Sequence, residues 1–376
     1  MSTGTNLYGS YGWTDTLRSV EYGPGSYTTA LPKLLKLLEG SRALVVTGKS
    51  LHEKTDVVRK VESVLKANNT YGATFWEIGE HAPVAGVRNG VEAFKNAGAD
   101  IIVAVGGGSP IDASKAILYF LQKEQGGAFK RQIAIPTTLS AAEYTIGAGY
   151  KGKSRVNDQQ LAPAAIILDA ELTLATPAKL WLSTGIRALD HAVESLYRPV
   201  VVPPLKALCH AAIADLFTYL PRSKADPADL EARQRLQLAS WMSLWPIKLE
   251  KYSALGLSHA LGHKLGAKYS IGHGITSCLT LAPTVHLMAT ETSHDDKEWL
   301  AGSLKFIGLP SSGNLENDIH KLADAIEKLV QDLGLKSTLT EYNVPREDAV
   351  DIAVRAVGGD DKPLYPATLK IVEGLY

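Results

Sequence analysis

Two stretches of the chain concentrate residue types that bind metals or transfer protons. Residues 185–191 read GIRALDH, and residues 257–274 read LSHALGHKLGAKYSIGHG. Together they hold four histidines and one aspartate. Imidazole and carboxylate groups are common protein ligands of zinc and iron. The first question is whether a metal ion is bound by Asp190, His191, His259 and His273.

Helical spacing sets Arg187, and not Asp190, beside His191. Residues four apart share a helix face, whereas adjacent residues point about 100° apart. Asp190 lies three residues from Arg187 and four from Glu194, so it pairs either with that arginine or with solvent. A guanidinium only donates hydrogen bonds and stays charged, so it repels a cation. We therefore expect no catalytic metal, although three-histidine zinc sites exist. If a metal is bound, its expected ligands are His191, His259 and His273.

The other histidines differ in how strongly they predict a site. His259 and His263 are four residues apart on one helix face, close to His273 in a glycine-rich turn. One such histidine is usually structural, but this grouping favours a functional site. His81 precedes Ala82 and Pro83 at a strand end and is ambiguous. Three others are interpreted as structural or surface residues: His210, His286 and His294.

A glycine-rich segment follows an apolar run in the first half of the chain. Residues 101–116 read IIVAVGGGSPIDASKA. Glycines let the backbone approach a ligand, and the N-terminus of the following helix attracts a phosphate. Pro110 suits the first turn of that helix. Asp112 either caps the helix or meets the nicotinamide side of a cofactor. The predicted phosphate loop consists of Gly106, Gly107, Gly108 and Ser109.

A second nucleotide signal lies at the end of the first apolar run, VVTGKSL. In dinucleotide-binding folds, a carboxylate near such a strand end binds the adenosine ribose and repels a 2′-phosphate. This chain has Gly48, Lys49 and Ser50 there, with an ammonium and no carboxylate. The alternative is a solvated loop lysine. We expect a preference for NADPH, with NADH also possible.

The order of patterns predicts an α/β domain followed by a helical domain. Apolar runs at 43–48, 72–78, 101–108, 132–138 and 164–169 alternate with amphipathic stretches. This alternation is typical of parallel βαβ units, as in Rossmann-like nucleotide-binding domains. Residues 17–26, LRSVEYGPGS, are interpreted as a turn. The predicted domains are 1–172, which binds the dinucleotide, and 173–376, which is helical and holds the substrate.

Helical patterns dominate the second half. Strand patterns nearly vanish after residue 172, and prolines at 203, 204, 221 and 227 punctuate the helices. Trp241 and Trp245 share a helix face and are interpreted as core packing, or as the wall of an aromatic substrate pocket. The predicted helices span 178–198, 204–220, 228–251, 253–268, 274–291 and 316–333.

Composition excludes several classes of function. The 376 residues carry no formal net charge, which argues against a nucleic-acid or polybasic membrane surface. Hydrophobic residues make up 45% and charged residues 21%, as in globular enzymes. Cys209 and Cys278 lie in apolar contexts and are expected to be buried thiols. No stretch resembles a signal peptide or approaches the roughly 18 apolar residues of a membrane helix. We expect a cytoplasmic protein.

These motifs together resemble the iron-containing alcohol dehydrogenases of the dehydroquinate synthase-like superfamily. The resemblance covers about residues 20 to 330 and is closest to the maleylacetate reductase branch. It rests on the order and spacing of GGGSPIDASKA, PTTLSAAEYT, GIRALDHAVESLY and LSHALGHKLGAKYSIGHG. It implies an N-terminal nucleotide domain, a helical C-terminal domain, an active site between them, and a homodimer.

The resemblance also assigns roles to individual residues. Family members that bind iron or zinc use one aspartate and three histidines; Arg187 stands at the aspartate position, and maleylacetate reductase-like members lack that aspartate as well. His263 matches a histidine near the nicotinamide, and Gly48 stands where NAD-preferring members carry aspartate. Thr137 and Thr138 are expected to contact the cofactor. The expected catalytic set is Arg187, His191, His259, His263 and His273.

The sequence therefore predicts a metal-independent, NAD(P)H-dependent reductase of a carbonyl or an activated alkene. Arg187 and donating histidines would stabilise the developing oxyanion, and a guanidinium also suits a substrate carboxylate. An acidic or oxo-containing small molecule is therefore the expected substrate, and His263 the expected proton donor. The alternatives are a non-redox isomerase, lyase or cyclase on the same fold, or a binding protein without catalytic activity.

Overall fold

The computed structural model describes residues 16–78, 84–150, 154–245 and 253–376. These residues form two compact units. Of the described residues, the first comprises 16–177 together with Ala228–Gln237, and the second comprises Ala178–Pro227 and Leu238–Tyr376.

The first unit is built on a parallel six-stranded sheet. Its order is β1-β8-β5-β4-β2-β3, and every neighbouring pair is parallel. Two further strands form an antiparallel hairpin, β6 (Gly147–Tyr150) with β7 (Ser154–Asn157). The strands of the main sheet are β1 (Ser19–Tyr22), β2 (Ala43–Thr47), β3 (Tyr71–Phe75), β4 (Ile101–Gly106), β5 (Arg131–Pro136) and β8 (Ala165–Leu168).

The central strands are buried on both faces, as expected of a parallel sheet covered by helices. Every residue of β2, β4 and β8 is buried, which explains their near-continuous apolar sequences. The apolar stripe of α3 faces this core, with Val58, Val61 and Leu65 fully buried. The helices of this unit are α1 (Tyr27–Leu37), α2 (Lys49–Lys54), α3 (Val57–Ala67), α4 (Val84–Asn96), α5 (Gly108–Gln125) and α6 (Ala170–Thr173).

The prediction of a turn over residues 17–26 is wrong for Ser19–Tyr22, which form strand β1. This strand pairs with β8 from Ser19 opposite Ala165 to Tyr22 opposite Leu168. It lies at the sheet edge, and none of its residues is fully buried. Backbone pairing, and not an apolar run, therefore makes this segment a strand. The turn begins at Gly23, whose φ is 132°.

The second unit is helical throughout the part that the structure describes. Helix α9 divides between the two units at Gln237. None of the described helices has a stretch long and apolar enough to cross a membrane. The helices are α7 (Ala178–Tyr197), α8 (Pro203–Ala225), α9 (Leu230–Leu244), α10 (Leu257–Tyr269), α11 (His273–Glu291), α12 (His294–Phe306), α13 (Leu315–Asp332), α14 (Ala349–Val357) and α15 (Tyr365–Gly374).

Helix α7 is the central element of this unit. All residues from Trp181 to Leu196 are buried, including four that carry ionisable side chains. A helix that is buried all round lies in a core. Polar groups taken out of water in this way require partners, because an unpaired buried charge costs several kcal/mol. The partners come from α10 and α11.

Candidate functional site

The loop after β4 presents backbone N–H groups and excludes side chains. β4 ends at Gly106, whose φ of 137° is rare for residues with a side chain. A β-carbon at Gly107 would lie 3.0 Å from Thr138 Cγ2, and one at Gly108 would lie 3.3 Å from Ser140 Oγ. The N-cap of α5 is Gly107, which has no side chain to accept a hydrogen bond from the first N–H groups of the helix. This arrangement fits a phosphate group.

The two threonines expected to contact the cofactor lie beside this loop. The Thr137 amide donates a hydrogen bond of 2.9 Å to the Gly106 carbonyl oxygen. Thr138 contacts Ser140 through their hydroxyls at 3.0 Å. Ser109, in the first turn of α5, is exposed. The residues predicted around the phosphate loop are therefore neighbours in the fold, and they fit a dinucleotide phosphate.

A buried lysine anchors the segment that follows β5. Lys115 Nζ donates hydrogen bonds to Asp112 Oδ1 at 2.9 Å, to the Ala142 carbonyl at 2.7 Å and to Thr145 Oγ1 at 2.6 Å. Lys115 is fully buried. Asp112, expected either to cap α5 or to meet the nicotinamide, binds this lysine and makes no N-cap hydrogen bond. The lysine thereby holds Ala142–Tyr144 against α5.

Glu143 lies in this anchored segment, in a short 3-10 helix over Ala142–Tyr144. Its side chain is 1% exposed, and Oε2 has no hydrogen-bond partner among the described residues. Burial raises the pKa of Glu143 to about 7, although its own backbone N–H and the charge of Lys115 both oppose the rise. The carboxyl group therefore changes protonation state near neutral pH.

The end of β2 has room for the ribose end of a nucleotide. Gly48 is the N-cap of α2, and a β-carbon built there meets no described atom within 4 Å. Lys49 and Ser50 are exposed. The Lys49 side chain is 72% exposed and lies 3.8 Å from Glu53. Lys49 is therefore only loosely paired and is available to an anion.

The four histidines of the opening motifs form two ring pairs. His191 on α7 and His259 on α10 are buried, with ring centroids 4.8 Å apart. His263, one turn later on α10, and His273, at the start of α11, are exposed, with centroids 5.6 Å apart. A β-carbon at Gly262 would lie 2.8 Å from Thr276 Oγ1 and 3.7 Å from Arg187 Nη1. Glycine at this position lets α10 and α11 approach Arg187.

Glu194 joins α7 to the start of α10. It accepts hydrogen bonds from the backbone amides of Gly256 and Ser258, each at 2.7 Å. Its Oε2 also accepts from His259 Nδ1 at 2.6 Å. A carboxylate at a helix N-terminus stabilises the orphan N–H groups there. Because Nδ1 faces Glu194, the Nε2 atom of His259 has no partner among the described residues and is left for a ligand.

Arg187 and Asp190 form a buried ion pair on α7. Arg187 Nη1 lies 3.5 Å from Asp190 Oδ2 and 3.2 Å from Ser277 Oγ. Asp190 Oδ2 also accepts from Ser277 at 2.6 Å and from Ser258 at 3.0 Å, while Oδ1 lies 3.3 Å from His259 Nδ1. Of the two expected partners of Asp190, the structure shows the arginine. Solvent is excluded because Asp190 has no exposed surface.

The two buried histidines differ in protonation. Burial first, and then the positive charges of His259 and Arg187, hold the pKa of His191 well below its usual value, so this ring is neutral. Burial and Arg187 also oppose protonation of His259, but Asp190 and Glu194 outweigh them and raise its pKa. Burial opposes ionisation of Asp190, yet His259 and Arg187 keep its pKa below the usual range. The buried cluster therefore sets the Arg187 guanidinium and a histidine whose protonation is favoured beside the acidic side chains of Asp190 and Glu194.

Three residues of this cluster could hold a metal ion, but the two carboxylates among them already have partners. Asp190, Glu194 and His259 bring ligand atoms within 4.8 Å of one another, a spacing that could hold an ion. However, Glu194 already binds His259 Nδ1 and two amides, and Asp190 already binds two serines. Arg187, a cation, stands where the ligand carboxylate is expected. An ion here would displace hydrogen bonds and lie beside a fixed positive charge.

The remaining predictions concern residues outside this cluster. His210 is buried and its Nε2 lies 2.9 Å from the Trp299 carbonyl oxygen, whereas His286 and His294 are at least one-third exposed. Trp241 and Trp245 contact each other with centroids 5.0 Å apart. Cys209 and Cys278 are free thiols; Cys209 is buried as predicted, whereas Cys278 is only partly buried. His81 lies outside the described residues.

Sequence reasoning missed the roles of Glu194, Ser258 and Ser277 as partners of the buried cluster. The signal for Glu194 was present, since it lies four residues after Asp190 on a helix that proves to be buried. Ser258 and Ser277 carried no comparable signal, because their contacts with Asp190 span 68 and 87 residues.

Comparison with known proteins agrees across both halves of the chain. Residues 18–170 match the family of iron-containing alcohol dehydrogenases, and residues 181–371 match the C-terminal region of that family. Maleylacetate reductase 1 of Cupriavidus pinatubonensis is 30% identical over 93% of this chain and 92% of that protein. The NAD-dependent methanol dehydrogenase of Bacillus methanolicus is 28% identical over 86% of this chain and 87% of that protein.

Solved structures share the fold. The maleylacetate reductase of Rhizobium sp. superposes with a TM-score of 0.81 at 24% identity, over 98% of this chain and 99% of that one. A 1,3-propanediol oxidoreductase superposes with a TM-score of 0.87 at 24% identity, over 98% of this chain and 100% of that one. The chain belongs to the iron-containing alcohol dehydrogenase family.

Proposed function

We propose that this oxidoreductase reduces an acidic, oxo-containing small molecule with NAD(P)H and without a catalytic metal. The proposal rests on the buried Arg187–Asp190 pair beside His259. The family resemblance sets Arg187 where metal-binding members carry the ligand aspartate. The similarity to maleylacetate reductases supports a substrate that carries both a carboxylate and a reducible carbon, such as a maleylacetate-like compound.

The nucleotide part of the proposal rests on the loop after β4. Bound NAD(P)H supplies the hydride from nicotinamide C4. The N–H groups at the start of α5 bind its phosphates, and the close approach of Thr138 and Ser140 restricts the space for side chains at Gly107 and Gly108. The open position at Gly48 and the loosely paired Lys49 favour acceptance of a 2′-phosphate, and therefore NADPH, with NADH also accepted.

Two donors support polarisation of the substrate oxygen. Both hydrogen bonds that Arg187 forms with described residues use Nη1, so Nε and Nη2 remain for a substrate oxygen. In the protonated His259 ring, Nδ1–H donates to Glu194 and Nε2–H is the second donor. Preorganised donors of this kind stabilise the charge that develops as hydride adds to a carbonyl or an activated alkene.

Proton delivery is assigned to His263. This histidine is exposed, one turn from His259, and its ring contacts that of His273. His191 is a poor proton donor because it is buried and its pKa is depressed. The exposed pair, His263 and His273, exchanges protons with water. The buried pair, His191 and His259, binds the substrate and polarises its oxygen. A cytoplasmic homodimer is the expected setting for this activity.

The experiment combines binding, turnover and metal analysis. NADPH and NADH fluorescence are titrated with the purified protein, and oxidation of each is then followed with a panel of oxo acids that includes maleylacetate. We expect turnover with oxo acids that carry a carboxylate, unchanged by EDTA, and well under one equivalent of iron or zinc. Gly108→Leu should prevent nucleotide binding while leaving the circular dichroism spectrum unchanged.

Each outcome decides a different part of the proposal. Nucleotide binding without oxidation across the panel would favour a non-redox isomerase, lyase or cyclase on this fold. Loss of activity with EDTA, recovered by adding zinc or iron, would overturn the metal-independent mechanism. Nucleotide affinity that survives Gly108→Leu would remove the glycine loop from the site.

A further inference from the structure

Strand β2 and the segment after β3 meet at a single antiparallel bridge between Gly48 and Glu77. β2 and β3 themselves run parallel, so the chain turns after Phe75 to make this pairing. Glu77 is exposed, whereas the next residue, Ile78, is buried. The bridge therefore fixes the backbone of an exposed carboxylate opposite the glycine at the end of β2.

Directly opposed residues of an antiparallel pair point their side chains to the same face, with β-carbons about 5 Å apart. Gly48 has no side chain, and the space where its β-carbon would lie is open among the described residues. The side chain of Glu77 thus borders the space that an aspartate at position 48 would use.

In dinucleotide-binding sheets, the corresponding position contacts the nucleotide. A carboxylate at the end of the strand beside the glycine-loop strand accepts a hydrogen bond from the adenosine ribose and repels a 2′-phosphate. β2 lies directly beside β4, which leads into the glycine loop. A carboxylate reaching the end of β2 from the neighbouring segment can do the same.

The local charge balance differs from what the sequence around position 48 suggests. Lys49 is the one cation of the GKS motif, but Glu53 lies 3.8 Å from its Nζ. The bridge sets the backbone of a second acidic residue, Glu77, opposite Gly48. Exposed charges at this range change affinities several-fold and are screened by salt.

We propose that Glu77 is a specificity-determining residue for the adenosine ribose, which reduces the preference for NADPH expected from Gly48 and Lys49. It accepts a hydrogen bond from the ribose 2′-hydroxyl of NADH and lowers the affinity for the 2′-phosphate of NADPH. The inference rests on the proposed binding of NAD(P)H at the glycine loop, and concerns which nucleotide is favoured.

The experiment measures dissociation constants of NADPH and NADH for the full-length protein by nicotinamide fluorescence. Glu77→Gln keeps the size and an acceptor but removes the charge, so NADPH should bind about five- to tenfold more tightly and NADH should change less than twofold. Glu77→Ala also removes the acceptor, so NADH should weaken about threefold. In 0.5 M salt, the gain for NADPH should shrink.

The control is Glu92→Gln, which removes an exposed carboxylate on α4 whose partner is Lys95. Its NADPH-to-NADH affinity ratio should match the parent protein. If both nucleotides bind and Glu77→Gln leaves the ratio within twofold of the parent, Glu77 does not determine specificity, while the proposed function stands. If neither nucleotide binds the parent protein, the proposed function and this inference both fail.

Discussion

The glycine loop and the buried histidine cluster differ in the chemical groups that form them. The loop spans four consecutive residues, offers backbone N–H groups, and needs only small residues where Thr138 and Ser140 approach. The cluster draws ionisable side chains from α7 and α10 and serines from α10 and α11, and each buried charge has a partner of opposite sign. A large side chain in the loop is therefore expected to prevent nucleotide binding without unfolding the protein. Loss of a charge is expected to destabilise the cluster itself.

The largest expected effect is on stability, at Asp190. Asp190→Ala leaves the Arg187 guanidinium buried without its carboxylate and removes an acceptor from Ser258 and Ser277. The free energy of unfolding should fall by about 3–5 kcal/mol, the usual result of removing one partner of a buried pair. Urea unfolding followed by circular dichroism measures this loss.

The matched control for Asp190 is an exposed pair. Asp332→Ala removes a carboxylate that is 54% exposed and pairs with Lys328 on the same helix. It should cost less than about 0.5 kcal/mol. If the two variants lose similar amounts, the buried cluster is not the stabilising element proposed here, and the contrast with the glycine loop fails.

The next largest effect is on turnover, at Arg187. Arg187→Asp removes a donor from the substrate oxygen and adds a third carboxylate beside Asp190 and Glu194, so turnover should fall roughly 10²-fold or more. The new carboxylate completes an aspartate and three-histidine set, so the variant should gain zinc affinity and melt at a higher temperature with zinc. Steady-state kinetics and elemental analysis measure both changes.

Arg187→Lys is the control, because it keeps the charge but loses the planar fork. It should retain part of the activity and gain no zinc affinity. Stoichiometric tightly bound metal in the parent protein would contradict the account of Arg187, since the guanidinium would then have to point away from the histidines.

Much of the fold could be predicted from periodicity, because long elements carry strong patterns. The predicted helix over 178–198 corresponds to α7 at Ala178–Tyr197, and the run at 101–108 to β4 at Ile101–Gly106. Strand β1 and the β6–β7 hairpin were not predicted. Their strands are only four residues long, and β1 is formed by pairing along the sheet edge, which leaves no apolar run in the sequence.

The candidate site was less predictable, because its contacts are tertiary. Helical spacing identified Arg187 as the neighbour of His191 but set Asp190 aside as pointing elsewhere. Only the packing of α10 against α7 brings His259 to within 3.3 Å of Asp190. The turn that pairs Glu77 with Gly48 likewise leaves no pattern in the sequence. Residue spacing within one helix or strand predicts only local neighbours. These pairings join residues that are far apart in the sequence.

A smaller effect on stability is expected at Glu143, beside the glycine loop. The pKa of this carboxyl group is raised in the folded state, so its contribution to stability is fully present below the unfolded value and is lost as pH rises through about 7. Glu143→Gln should remove this loss and narrow the fall in unfolding free energy between pH 5 and 8 by roughly 2 kcal/mol. Urea unfolding at four pH values tests it, with the exposed Glu124→Gln as control. Equal pH profiles of parent and variant would mean that Glu143 is ionised throughout.

The smallest effect is expected at Gly48, where a substitution adds a carboxylate opposite Glu77 and so tests charge, and not bulk, in the nucleotide region. A side chain at this position meets no described atom within 4 Å, so Gly48→Asp should fold normally. The added carboxylate faces a 2′-phosphate but can accept a hydrogen bond from a 2′-hydroxyl. NADPH should therefore bind about tenfold more weakly, while NADH keeps its affinity or gains slightly.

Gly48→Asn is the control of equal size without charge, and it should leave the ratio of the two affinities near that of the parent protein. Equal weakening of both nucleotides by Gly48→Asp would mean that position 48 acts through the shape of the loop and not through charge. The end of β2 would then resemble the glycine loop, where the size of the side chain, and not its charge, determines nucleotide affinity.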